Sequence, residues 1–276
     1  MPDYASDAYD IKVLFCGDYA ISKSYSLPVV LGRTKSSDCK KNFTDFSART
    51  PKRYDNLNRA RDTVSSLIYC NLTPHTKFLT LTTAFPVLDV PSFMTKLHSF
   101  FHYMRRYNFD LDYLYVLERQ LRRGHKESNS GSLHAHIVIF NDEIIPIDLL
   151  RKAWPHGFVK INVLNGLRYS DGLPTPESVN NLASYVCKYI TKESVAEWNE
   201  KCFRTSKGLK RPTEVIGKGY LTPNSYYRSE DCEALRQTLS DDFTCIYNSS
   251  KKAEYTTSEG HRTNFITTAV SVKKIP

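Results

Sequence analysis

The sequence predicts an α+β chain, a mainly antiparallel sheet with helices packed on it. Three observations predict it: strand-like runs separated by helical ones, a hairpin pattern across Tyr113–Phe140, and one strongly amphipathic stretch between Pro91 and Tyr107. Hydrophobic residues make up 41% of the 276 positions, enough for a sizeable core and too many for a disordered chain. No apolar run approaches the roughly 20 residues that span a bilayer.

Taken in order, residues 1–50 hold one strand-like run near Ile11–Cys16 and otherwise read as a loosely packed lead-in. A basic helix follows, with Arg49, Lys52, Arg53, Arg59 and Arg61 against Asp55, and with Val64, Leu67 and Ile68 spaced for one face. KFLTLTTAF alternates as a strand, with Phe78, Thr80 and Thr82 on one face and Leu79 and Leu81 on the other. Pro91–Ser92 opens a helix whose Phe93, Leu97, Phe100, Phe101 and Met104 form one apolar stripe, ending near Arg105–Tyr107. Tyr113–Glu118 and LHAHIVIF pair as a hairpin across the polar turn RRGHKESNSGS. A short helix over Asp148–Trp154 and a strand over Phe158–Leu164 come next, then a long helix from Thr175–Pro176 to about Trp198. Beyond Tyr220 the chain is neutral, rich in Ser, Thr and Asn, and reads as an irregular or mobile extension. The domain reading is a lead-in over 1–48, a central domain over 49–216 and an extension over 217–276.

Charge and composition narrow the function. The net charge of +9, with 18 Tyr and 14 Phe, suits a nucleic-acid binder, since cations meet phosphates and rings stack on bases. Two stretches concentrate the charge. One is 49–61; the other is 201–218, where Lys201, Arg204, Lys207, Lys210, Arg211 and Lys218 face Glu214 alone. Seven widely spaced cysteines without a CxxC pair exclude a zinc knuckle and a thioredoxin-like site, and reduced thiols are expected. No GxxxxGK[ST] motor motif occurs. The opening MPDYASDAYD is acidic and polar, the reverse of a targeting segment, so a cytoplasmic, non-membrane protein is expected.

Two constellations carry chemistry. His134-Ala135-His136 sits in an apolar strand, where alternation puts both imidazoles on one face, a ready platform for a divalent metal. Chance gives roughly 0.2 such pairs for this histidine content. Glu118, closing the preceding strand, would lie across the sheet as a third ligand; Gln120 and His125 are its rivals. The second constellation is YVCKYITK, in which Tyr185 and Tyr189 are one helical turn apart and are followed by Lys188 and Lys192. Chance gives roughly 1.2 YxxxY pairs, and Tyr103/Tyr107 on the aromatic helix is one assigned to packing. A phenol with an ordinary pKa of about 10 is a poor nucleophile at neutral pH, so a neighbouring ammonium and a polarised phosphate are the aids it needs.

FLTLT (78–82), ERQ…GSLHAH (118–136) and YVCKYITK (185–192) together resemble the three ordered motifs of HUH endonucleases, the rolling-circle replication initiators. The doubled tyrosine is similar to the branch with microvirus-type phage initiators and related plasmid replication proteins. The likeness covers about residues 50–215, although the turn before the histidines is longer here than in many relatives. It implies a sheet of about five antiparallel strands flanked by helices, RRM-like, with HxH on a central strand.

It also implies metal-dependent, site-specific nicking and rejoining of single-stranded DNA through a 5′-phosphotyrosine. Tyr185 and Tyr189 would be nucleophiles and Lys188 and Lys192 charge partners. His134, His136 and Glu118 would hold Mn²⁺ or Mg²⁺. Arg53, Arg59, Lys207, Lys210 and Arg211 would contact DNA. The implied partners are single-stranded or hairpin origin DNA, with a host helicase and polymerase in a bacterial cytoplasm. A relaxase or transposase with the same site chemistry, or a non-catalytic sheet-based single-strand binder, remain the alternatives.

Overall fold

The computed structural model describes residues 6–31, 50–120, 132–163, 169–170, 173–174, 176–190, 203–222, 225–256 and 262–275. The chain divides into two compact units, one of Met1–Thr44 with Arg211–Pro276 and one of Asp45–Lys210. The first segment supplies β1 (Ser6–Cys16) and β2 (Tyr19–Val30). Then come α1 (Thr50–Asn71), β3 (Lys77–Leu81), α2 (Val90–Arg106), β4 (Tyr113–Gln120), β5 (Ser132–Ile139), α3 (Ile147–Ala153) and β6 (Val159–Val163). A short hairpin of β7 (Tyr169–Ser170) and β8 (Leu173–Pro174) precedes α4 (Pro176–Cys187) and β9 (Phe203–Thr205). The last segment carries β10 (Thr213–Leu221), β11 (Tyr226–Arg228), α5 (Glu230–Asp242), β12 (Phe243–Thr256) and β13 (Arg262–Lys274). The class is α+β, as the sequence predicts.

In the unit Asp45–Lys210 a five-stranded sheet runs in the order β6-β3-β5-β4-β9, and every pairing is antiparallel. β5, with the HxH run, is the central strand. One face buries Leu79, Leu81, Tyr115, Leu117, Leu133, Ala135, Ile137 and Ile139 against the aromatic stripe of α2 and against Leu150, Ala153 and Trp154 at α3. α2 forms because its apolar residues recur at helical spacing; Asp89 caps it by accepting the Ser92 N–H at 2.8 Å, and Pro91 tolerates its missing donor in the first turn. Tyr103 packs against the core, and Tyr107, just past the helix end and exposed, stacks on it at 4.7 Å. The opposite face of the sheet carries Phe78, Thr80, Glu118, His134 and His136. α1 packs along α4, burying Val64, Leu67 and Ile68 of one and Leu182, Ala183 and Val186 of the other.

The other unit holds a six-stranded antiparallel sheet, β11-β10-β1-β2-β13-β12, with α5 against β10 and β12. Here the structure departs from the sequence reading: the lead-in and the supposedly irregular tail pair as long strands. β1 and β2 turn through Gly17, whose φ of +63° suits the first central position of a tight hairpin, followed by Asp18. In β13 the alternation Ile266, Thr268, Val270, Val272 is a strand signal disguised by the Ser, Thr and Asn between. Those polar residues belong to a paired strand and not to a loop.

The second departure is α4, which ends at Cys187, short of the predicted end near Trp198. Lys188, Tyr189 and Ile190 donate their N–H groups three residues back, to Tyr185, Val186 and Cys187, which tightens the chain into a turn. Arg61 then takes the Ile190 carbonyl, through Nε at 3.2 Å and Nη2 at 2.9 Å. Residues 191–200 lie outside the described residues.

Candidate functional site

The site is built where the hairpin β4–β5 meets the end of α4. Glu118 is paired directly with His134, and His136 lies between Val116 on one side and Thr80 on the other. Opposed residues of an antiparallel ladder share a face, so this register puts the carboxylate, both imidazoles and the Thr80 hydroxyl on one side. His136 is buried; its Nε2 donates to Glu118 Oε2 at 2.9 Å, and the Thr80 hydroxyl can donate to Nδ1 at 3.3 Å. The Glu118 side chain stays 36% exposed. Burial pushes the His134 pKa down, with Glu118 working against it and His136 adding to it, so the net effect favours neutral imidazole.

The turn after α4 lays the second tyrosine on this cluster. The Tyr189 ring stacks on His136, with centroids 3.7 Å apart and planes 16° from parallel. Its hydroxyl donates to the Tyr185 hydroxyl at 2.7 Å. Tyr185 meets Phe78 edge-on at 5.3 Å and is 43% exposed. Lys188 Nζ lies 5.6 Å from the centre of the Tyr185 ring, a cation–π contact that keeps an ammonium beside the exposed phenol. Burial, the Tyr185 hydrogen bond and the nearby Glu118 charge all push the Tyr189 pKa up.

Glu118, His134, His136, Tyr185, Tyr189 and Lys188 are therefore brought together. Lys192, His125 and the Gln120 side chain lie outside the described residues, as does the side chain of Arg53. Arg59 is exposed on α1. Lys207 and Lys210 project from the segment after the edge strand β9, whose backbone Asn71 grips by two bonds to Lys210, and Arg211 is exposed just beyond. These three are not part of the cluster. Among the described residues no three His, Cys, Asp or Glu side chains converge as a metal-holding group; what the geometry joins is the Glu118–His136 pair.

Residues 76–194 match the family model described as replication-associated protein ORF2/G2P. The match makes this part of the chain, under half of its length, similar to a replication-associated family. The matched segment contains every group of the cluster and none of the basic residues Arg53, Arg59, Lys207, Lys210 and Arg211. No curated protein and no solved structure matches the chain.

Sequence reasoning assigns Arg61 to a basic DNA-contacting stretch, whereas its guanidinium holds the carbonyl after Tyr189 and so sets where that ring lies. Cys187 adds to the same junction, with Ser65 Oγ at 3.5 Å from its sulfur and its thiol donating to the Arg61 carbonyl. Gly157 is the other residue passed over. A Cβ there would come within 2.4 Å of the Thr82 carbonyl oxygen, so only glycine lets the loop before β6 run against the end of β3. No helix among the described residues is long and apolar enough to cross a membrane.

Proposed function

We propose that the protein is a rolling-circle replication initiator of the two-tyrosine HUH type, which nicks and rejoins single-stranded DNA. The observation that carries this reading is the pair of phenols, hydroxyl to hydroxyl at 2.7 Å, set over the Glu118–His136 pair on the central strand. A tyrosine oxygen attacks phosphorus, loses its proton and forms the phosphotyrosine. The P–O3′ bond breaks, and the departing oxygen gains a proton to leave a free 3′-OH. Tyr185 makes the first attack, because it is the more exposed phenol and its oxygen receives the Tyr189 hydrogen bond. Tyr189 then serves the second cut that closes a circle. Lys188, and Lys192 in the same YxxK frame, offset charge on the phosphate.

His134, His136 and Glu118 share one face of the sheet and would, once drawn together, supply two imidazoles and one carboxylate to Mn²⁺ or Mg²⁺. Holding such an ion requires Glu118 to release His136 Nε2. Such an ion would supply Lewis-acid polarisation of the scissile phosphate. Arg53, Arg59, Lys207, Lys210 and Arg211 are the proposed phosphate contacts along origin DNA. A host helicase and polymerase in a bacterial cytoplasm complete the proposed setting.

The test is covalent capture. The full chain, incubated with Mn²⁺ and pools of hairpin oligonucleotides labelled at the 3′ end, should retain label on a denaturing gel. Saturable binding without any adduct would favour a single-strand binder, a reading that the stacked Phe78, His136 and Tyr189 rings also suit. The same result would overturn the nicking chemistry.

A further inference from the structure

The edge strand β6 and the residue just before it carry two exposed side chains on the same face as the cluster. Its register sets Lys160 opposite Thr80, which is itself opposite His136, while Val159 and Ile161 pack toward the core with Leu79 and Leu81. Alternation then places Phe158 beside Lys160 on the site face. Phe158 is 74% exposed and Lys160 is exposed too. A second ring, Phe85, is 83% exposed in the segment after β3.

The backbone under these rings is firmly held. Trp154 Nε1 donates to the Thr82 carbonyl at 2.7 Å, Thr82 N–H to the Phe158 carbonyl at 3.0 Å, and Ala84 N–H to the His156 carbonyl at 2.9 Å. Gly157 is the close approach that permits the arrangement. A single exposed phenylalanine is ordinary on a protein surface. Two on one braced junction, with an ammonium two residues from one of them and the catalytic face alongside, are a ring-and-cation pair of the kind that grips single-stranded nucleic acid.

We infer that Phe158 and Lys160 form a binding subsite for the unpaired strand flanking the cleaved phosphate, with Phe158 stacking on one base and Lys160 meeting its phosphate. The inference rests on the proposed nicking activity and extends it to substrate positioning. Phe85 provides a second ring for the neighbouring base. Single-stranded DNA is the occupant because the row joins an exposed cation to exposed rings, and because paired bases offer no free face to stack on.

The experiment measures binding of a fluorescent single-stranded oligonucleotide to the full chain, alongside the covalent-capture assay. Phe158→Ala should weaken single-strand binding about tenfold, the size of one base–aromatic stack, and Phe158→Trp should restore it. Replacing bases one at a time by abasic sites should find one position where wild type loses about as much and Phe158→Ala loses little more. Lys160→Gln should lower affinity and reduce the salt dependence. Because both side chains are exposed, the thermal unfolding midpoint should not move. Wild-type affinity in Phe158→Ala, with adduct formation intact in the parent protein, would overturn the subsite and leave the nicking activity standing. Equal loss on duplex and single strand would also overturn it. Failure of the parent to form any adduct, with the Phe158 effect present, would instead remove the nicking reading and keep a single-strand binding site.

Discussion

Each sheet holds a carboxylate against cationic or ionisable partners, and the two are used in opposite ways. Asp10, in the six-stranded sheet, sits where the β1 register shifts between Tyr9 and Ile11, and it is 4% exposed. Arg228 Nε donates to it at 2.7 Å, Arg236 Nη2 at 2.9 Å and the Cys232 thiol at 3.3 Å. Burial pushes its pKa up, but those donors outweigh burial and hold it below the usual carboxylate range. Its ionic partners are guanidiniums, which never lose their charge, so the group ties β1 to β11 and α5. Glu118 faces the His136 imidazole with the Tyr189 phenol nearby, and a third of its side chain reaches solvent. A carboxylate sealed by permanent cations is a clamp; one left reachable among groups that can exchange protons or ligands is free for chemistry.

The sharpest way to break this comparison is to remove the phenols. Tyr185→Phe/Tyr189→Phe should abolish the covalent adduct while leaving DNA binding, read by anisotropy. Tyr185→Phe alone should lose more first-strand cleavage than Tyr189→Phe, and circle closure should need both. A single variant with wild-type nicking and closure would reduce its tyrosine to a packing residue. Next in size is the pair beneath them. Glu118→Gln keeps the side-chain volume and removes the charge, and it should cut adduct formation about 100-fold or more, as should His136→Ala. Excess chelator should have the same effect on wild type, reversed by Mn²⁺; full activity in chelator would end the metal assignment.

Asp10→Ala should do the reverse. It should lower the stability of the full chain by about 2–3 kcal/mol, the cost of losing charge-assisted hydrogen bonds in a buried setting, with adduct per folded molecule unchanged. The pH dependence has a defined sign. Because the folded pKa lies below the ordinary 3.8, this stabilisation is complete above that value and is lost as pH falls through it toward the depressed one. Wild type and Asp10→Ala should therefore converge in stability during acid titration below about pH 4, as followed by circular dichroism. Parallel curves would mean that Asp10 is no clamp.

The two regions also differ in how far the sequence foretells them. The central sheet is legible because its strands are buried on one or both faces and its helices are amphipathic: KFLTL, LHAHIVI and the α2 stripe carry unbroken periodicity. The HxH register and the nearness of Glu118 follow from alternation and a hairpin alone. The six-stranded sheet is hidden because its strands come from opposite ends of the chain and carry many exposed polar residues. β1 also breaks its own alternation at the bulge, burying Asp10 and Ile11 together. In the site, sequence spacing puts Tyr189 on a helix that stops two residues short of it. The residue responsible is Arg61, 129 positions away from the carbonyl it holds, and no local pattern encodes so distant a contact.

The smallest expected effect concerns the cations outside the cluster. Lys207, Lys210 and Arg211 are exposed, none takes part in the Glu118–tyrosine arrangement, and only the backbone of Lys210 is anchored, by Asn71. If they track phosphates, neutralising all three should weaken binding to every sequence alike and leave the adduct yield at saturating DNA unchanged. Each phosphate contact on a single strand contributes about 0.7 to the slope of log affinity against log salt, so the slope should fall by about 2. The same triple variant should leave the unfolding midpoint in place, because exposed charges contribute little to stability. An unchanged slope would make this stretch a solvated surface and leave Arg53, Arg59 and Lys160 to carry the electrostatic attraction. A loss of adduct at saturation would instead draw these residues into the chemistry, and the separation between reaction face and binding surface would fail.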